Sequence, residues 1–78
     1  MKFEVYILFS SSLNRYYVGH TNNFEKRLST HNSGGKKYTS KGRPWILVKK
    51  YICITRSEAM QLERKIKKRG IKRFLEKN

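Results

Sequence analysis

Acidic residues are scarce in this sequence. Five Asp plus Glu face nineteen Lys plus Arg, a formal charge of +14. Self-repulsion on that scale costs a small protein stability and calls for a polyanionic partner. Cysteine is nearly absent as well. The single Cys53 excludes an intramolecular disulfide and any Cys/His zinc spacing, and a lone thiol reads as cytosolic. No apolar run approaches the roughly 20 residues that span a bilayer. The N-terminal stretch MKFEVYILFSSS is interrupted by Glu4 and reads as a strand, not as a signal peptide. Repeats and low-complexity tracts are missing too.

Nucleic acid is the polyanion expected first, because each phosphate contact releases counterions and strengthens attraction. DNA is the form expected. A membrane surface comes second, with nothing beyond charge behind it. The 78 residues read as one domain, 1–78, with a thin core. A chain this short buries only about 60% of the surface its unfolded form exposes.

Residues 3–9 (FEVYILF) are rich in β-branched and aromatic types and predict a strand. A Ser-rich turn follows, and RYYVGH (15–20) predicts the returning strand of a hairpin. A loop from Ser10 to Leu13 pairs Phe9 with Asn14 and sets Tyr6 opposite Tyr17. Asn22 and Glu25 have capping-box spacing and predict a helix from about Asn23 to His31. That helix aligns Phe24, Leu28 and His31 on one stripe, with Arg27 on its flank. Gly34 and Gly35 end it. Residues 36–44 (KKYTSKGRP) form a basic loop holding one aromatic residue. WILVKKYICI (45–54) is apolar on both alternating sets apart from Lys49 and Lys50, which predicts a strand covered on both faces. Thr55 or Ser57 can cap a long helix whose buried side carries Ala59, Leu62 and Ile66. Gly70 interrupts it before a short last helix with Ile71, Phe74 and Leu75. The order is β-β-α-β-α-α: an α+β fold, with a small, three-stranded, mostly antiparallel sheet flanked by helices.

These pieces, in this order, resemble the GIY-YIG nuclease domain, in particular its small free-standing bacterial members of the URI type. Val5-Tyr6-Ile7 stands at the first motif and Tyr17-Val18-Gly19 at the second, followed by His20-Thr21-Asn22. Arg27 and His31 match polar positions of the first helix. Tyr38-Thr39 and Arg43-Pro44 resemble the segment before the third strand, and Glu63 matches the acidic residue of the next helix. Glu4-Val5-Tyr6 departs from the usual Gly-Ile-Tyr, and Asn78 is not assigned to the asparagine some members carry. The family's separate DNA-binding domain has no counterpart here, so selectivity for structure over sequence is expected.

The resemblance implies an endonuclease that hydrolyses phosphodiester bonds. Tyr6 would contact and activate a water, Tyr17 would order the site, and His31 would take a proton near neutrality. Arg27 would hold the scissile phosphate. Glu63 would be the sole protein ligand of Mg²⁺ or Mn²⁺, acceptable for an ion that keeps several waters. Gly19 has a structural role, letting backbone or helix approach closely. Lys36, Lys37, Tyr38, Lys41, Arg43, Arg64, Lys67 and Lys68 are the expected nucleic-acid contacts. Tyr38 among cations resembles a stacking platform. From Arg64 to Asn78 eight Lys or Arg accompany one Glu, more than a solvated face needs.

Every one of these residues also has a plain structural reading. The tyrosines can be a cross-strand pair, and His31 a helix C-terminal residue favoured by the dipole. Arg27 can be a solvated charge, and Glu63 with Lys67 an ordinary i, i+4 pair. A binding module that keeps the fold without the reaction, or an unrelated basic RNA-associated protein, would share the composition. Cys53 reads as a buried strand residue and Trp45 as core or rim. Oligomeric state is left open.

Overall fold

A computed structural model describes residues 2–32 and 43–76 of the chain. The elements are β1 (Phe3–Ser10), β2 (Arg15–Thr21), α1 (Phe24–Asn32), β3 (Ile46–Cys53), α2 (Arg56–Arg69) and α3 (Ile71–Glu76), in the β-β-α-β-α-α order expected. The three strands make a wholly antiparallel sheet in the order β2-β1-β3. Lys36, Lys37, Tyr38 and Lys41 lie outside the described residues.

β1 is the central strand, and its side chains alternate between two cores. Val5 and Ile7 join Val18, Cys53, Ala59 and Ile66 on the face covered by α2 and α3. Tyr6 and Leu8 join Phe24 and Trp45 on the face covered by α1. Val5, Tyr6, Ile7 and Leu8 are each 0% exposed. One strand therefore anchors both apolar layers, as period-two alternation allows in a three-layer arrangement.

The hairpin register differs from the sequence expectation. Ser10 pairs with Arg15 and Phe9 with Tyr16, so Tyr17 faces Leu8 and Tyr6 faces Gly19. The turn closes one pair further out. Asn14 adopts φ 53°, a left-handed conformation that asparagine tolerates, and Ser10 Oγ accepts the Leu13 N–H at 3.2 Å. The slip amounts to two residues on one strand, an even number, so every side chain keeps its face. Tyr6 and Tyr17 still share a side of the sheet, as diagonal neighbours with ring centroids 6.3 Å apart.

Two further expectations are corrected. Asn23, not Asn22, caps α1: its Oδ1 accepts the Lys26 N–H at 3.2 Å. Thr21 Oγ1 sets the approach by accepting the Asn23 N–H at 3.1 Å. β3 is not covered on both faces. It is an edge strand, with Ile46 57% and Ile52 65% exposed. Its apolar run is relieved by Lys49 and Lys50, charges of the kind that keep a sheet edge from pairing with another chain. Lys50 also lies 4.9 Å over the Phe24 ring and pairs with Glu4 at 3.1 Å.

α2 starts with a full capping box. Thr55 Oγ1 accepts the Glu58 N–H at 3.1 Å, and Glu58 Oε1 accepts the N–H groups of Ile54 and Thr55. Gly70, at φ 95°, ends it and returns its N–H to Ile66 O at 2.9 Å. α1 is fastened at its far end by Asn32, whose Oδ1 accepts the Trp45 N–H at 2.6 Å while its Nδ2 donates to Trp45 O at 3.3 Å.

The pairing of Tyr6 with Gly19 generates a test. A Cβ on Gly19 would stand 2.7 Å from Tyr6 Oη and 2.9 Å from Cζ, inside a packed layer. Gly19→Ala is expected to cost about 1–3 kcal/mol, the usual range for overpacking, read from the urea midpoint. An unchanged midpoint would mean that the Tyr6 ring has room to move aside.

Candidate active site

The register just described lays the Tyr6 ring across Gly19, on the α1 side of the sheet. Its hydroxyl meets His31 Nε2 at 3.1 Å, at the end of α1, and both side chains are 0% exposed. The His31 ring also packs edge-on to Tyr17, with centroids 4.9 Å apart, and Phe24 closes the other side of Tyr6 at 5.4 Å. Arg27 lies one turn before His31 on the same helix, and its positive charge acts on the Tyr6 hydroxyl. Either Tyr6 or His31 can be the donor of the bond between them, according to the imidazole tautomer.

Burial pushes the Tyr6 pKa well up, and the neighbouring Tyr17 and Glu63 add to the rise. The positive charge of Arg27 acts against it without cancelling it. Tyr6 is thus held as a phenol.

Glu63 itself belongs to an adjoining cluster on the α2 side of the sheet. Its Oε1 accepts from His20 Nδ1 at 2.6 Å and its Oε2 from Lys67 Nζ at 2.8 Å. Burial alone would raise the Glu63 pKa, but these two hydrogen bonds and the charges behind them outweigh it and hold the carboxyl below the usual range. His20, Met60, Glu63, Arg64 and Lys67 line a hollow of about 250 Å³. A second hollow, of about 290 Å³, is lined by Tyr16, Tyr17, Val18, Lys67 and Ile71. Lys67 is common to both, so among the described residues the two hollows adjoin at that side chain and form a basic groove beside β2.

The sequence-predicted residues therefore fall into two groups on opposite faces of the sheet. Tyr6, Tyr17, Arg27 and His31 make one. Glu63 makes the other with His20, Arg64 and Lys67. Gly19 provides room for a side chain, Tyr6, where backbone or helix was expected. Arg43 and Lys68 line neither hollow. His20 was missed by sequence reasoning, although alternation along β2 places it on the face opposite Tyr17 and Gly19, which is the face of α2. Its partner, 43 residues away, is invisible to any local pattern. Asn32 was missed for the same reason.

The sequence profile of the GIY-YIG catalytic domain matches this chain over residues 2–74. The chain belongs to the GIY-YIG family. Among its relatives, a UPF0213 protein of Staphylococcus haemolyticus is 47% identical over 55 residues, covering 69% of this chain and 67% of that one. A UPF0213 protein of Bacillus licheniformis is 44% identical over 64 residues, 77% of this chain and 66% of that one. The Bacillus subtilis protein YazA, also UPF0213, is 46% identical over 56 residues, 70% of this chain and 57% of that one. The matched stretch thus spans between about half and two thirds of the curated relatives' length. The solution NMR structure of a UPF0213 protein from Bacillus halodurans superposes with a TM-score of 0.53 at 35% identity, over 86% of this chain and 71% of that one.

A GIY-YIG domain is a nuclease domain, its substrate class is nucleic acid, and such nucleases generally use a divalent metal ion. Among the described residues no three His, Cys, Asp or Glu side chains are grouped to hold a metal. No described helix is long and apolar enough to cross a membrane. Glu63 is the one carboxylate lining the hollow. With His20 and Lys67 each using one lone pair, each of its oxygens keeps another. That fits a hard cation taking one protein oxygen and keeping waters.

Glu63 also sets an acid limit on stability. Its folded pKa lies below the unfolded value, near about 4.3. The ionised pair therefore stabilises fully above that range, and the gain is lost as pH falls through the lowered folded value. Urea midpoints of the wild type and Glu63→Gln are expected to differ most near neutrality and to converge towards about pH 3. A gap that stays constant with pH would refute the assignment.

Proposed function

We propose that the chain is a divalent-metal-dependent endonuclease that hydrolyses phosphodiester bonds in DNA, selecting structure more than sequence. The observation carrying this is the linkage of Tyr6, His31 and Arg27 beside a basic groove with one anchored carboxylate. Hydrolysis needs a deprotonated water, compensation of charge on the phosphoryl oxygens and help for the leaving oxygen. Tyr6 accepts the water's proton as its own passes to His31 Nε2, a transfer that never forms the buried tyrosinate. The hydroxide oxygen bonds to phosphorus as the P–O bond to the leaving oxygen breaks, and the leaving oxygen takes a proton from solvent. The planar guanidinium of Arg27 holds the scissile phosphate, and its charge couples the phosphate's arrival to the Tyr6 hydroxyl. Tyr17 fixes the His31 ring. Mg²⁺ or Mn²⁺ held by Glu63 supplies Lewis-acid compensation for the developing charge. Arg64 and Lys67 hold flanking phosphates, contacts that position without reading bases.

A second reading has specific support. The Tyr6 side chain is wholly buried and both Glu63 oxygens already accept N–H groups, as a non-catalytic binding module would also have them. Incubation with branched, flapped, single-stranded and duplex DNA plus Mg²⁺ or Mn²⁺ separates the two. Cleavage of a branched or flapped substrate is expected; binding to all with cleavage of none would establish the module.

Glu63→Ala is expected to abolish metal-dependent cutting while leaving DNA affinity within a few-fold, by single-turnover assay and fluorescence anisotropy. Arg27→Ala should lower the cleavage rate by about 10²-fold or more, beyond any loss of affinity. Equal losses in rate and affinity would reduce Arg27 to one more phosphate contact.

A further inference from the structure

Nothing in the reaction as described above uses His20, yet it makes the shortest hydrogen bond to the one carboxylate in the groove. We propose that His20 is a positioning residue: its Nδ1–H fixes the Glu63 carboxylate so that the oxygens' remaining lone pairs face the hollow and receive the divalent cation. The inference rests on the metal-dependent reading above and extends it to a residue given no part there.

The argument is one of frames. Glu63 carries three side-chain torsions and stands on a helix that packs on one face of the sheet, whereas Tyr6 and His31 stand on the other. Lys67 cannot register the two. It belongs to the same helix as Glu63, at i, i+4, and its side chain is 59% exposed. His20 comes from β2 and directly follows Gly19, the residue over which Tyr6 lies. Its side chain is 28% exposed, against 18% for Glu63, and the contact is 2.6 Å long. Adjacent residues of one strand thus seat the phenol on one face and grip the carboxylate on the other. An ionised carboxylate only accepts, so the imidazole proton is on Nδ1 and the role is that of a donor. Such partners orient metal-binding carboxylates, and losing one typically costs 10–100-fold in metal affinity.

The donor atom makes the test selective. Asn places an amide N–H near the position of Nδ1, whereas Gln reaches towards that of Nε2. Mn²⁺ affinity, followed by the EPR signal of the free ion, is expected to fall about 10–100-fold in His20→Ala and His20→Gln. His20→Asn should recover most of it. The Glu63 ¹³Cδ NMR signal of metal-free protein should move in the Ala variant and return in the Asn variant. DNA affinity in EDTA should be alike in all four proteins, and backbone amide spectra should show each folded. Wild-type Mn²⁺ affinity in His20→Ala, or an Asn variant no better than Gln, would overturn the proposal. Should wild type itself bind no Mn²⁺, the metal-dependent reading falls on its own. The ¹³Cδ signal then decides for His20: recovery in Asn supports positioning, and no change in Ala overturns it.

Discussion

A tyrosine ring on the central strand of this sheet lies where the opposing residue has no side chain. Tyr6 is directly across from Gly19, and any Cβ there would meet its hydroxyl. That single vacancy lets a large polar aromatic residue lie flat within a packed layer and carry its oxygen to the end of α1. The hydrogen bond to His31 follows, and with it the edge-on packing of that imidazole against Tyr17. Buried phenol and buried imidazole satisfy each other, which offsets the cost either would incur alone in a small core.

Charge imposes the second constraint. With five acids against nineteen bases, anionic side chains are scarce, and three of the five have defined structural partners. Glu4 pairs with Lys50 across the sheet, Glu58 closes the cap of α2, and Glu63 is gripped from both a strand and its own helix. Much of the remaining positive charge stays on the surface, where it destabilises the fold mildly and attracts a polyanion strongly. A groove that holds one ionised carboxylate between Lys67 and Arg64 is suited to a phosphate backbone, provided the phosphate brings its own counterion to that carboxylate.

Local chemistry made much of the architecture legible. Alternation in FEVYILF and RYYVGH, helical spacing from Phe24 to His31 and from Ala59 to Ile66, and the break at Gly70 each depend on near neighbours, and the corresponding elements are present. The errors lie where distant parts decide. The hairpin slipped because Asn14 could take a left-handed turn. β3 reads as a covered strand by its apolar pattern but became an edge, because the sheet order leaves it outside β1 and the α2–α3 pair packs mainly on β2 and β1. A run of apolar residues reports what a strand tolerates; which neighbours cover it is settled by topology.

The same division holds for the site. Residue types and order determined by themselves that the two tyrosines share a face, that Arg27 and His31 lie about a turn apart, and that Glu63 sits beside an apolar stripe. Period-two and period-3.6 geometry carry that information within each segment. The tertiary structure alone decided that Gly19 would house the Tyr6 ring, that His20 would hold Glu63, and that adjacent residues of β2 would serve clusters on opposite faces. Those outcomes join residues up to 43 positions apart, and contact between them depends on how the helices dock on the sheet, which no local period encodes.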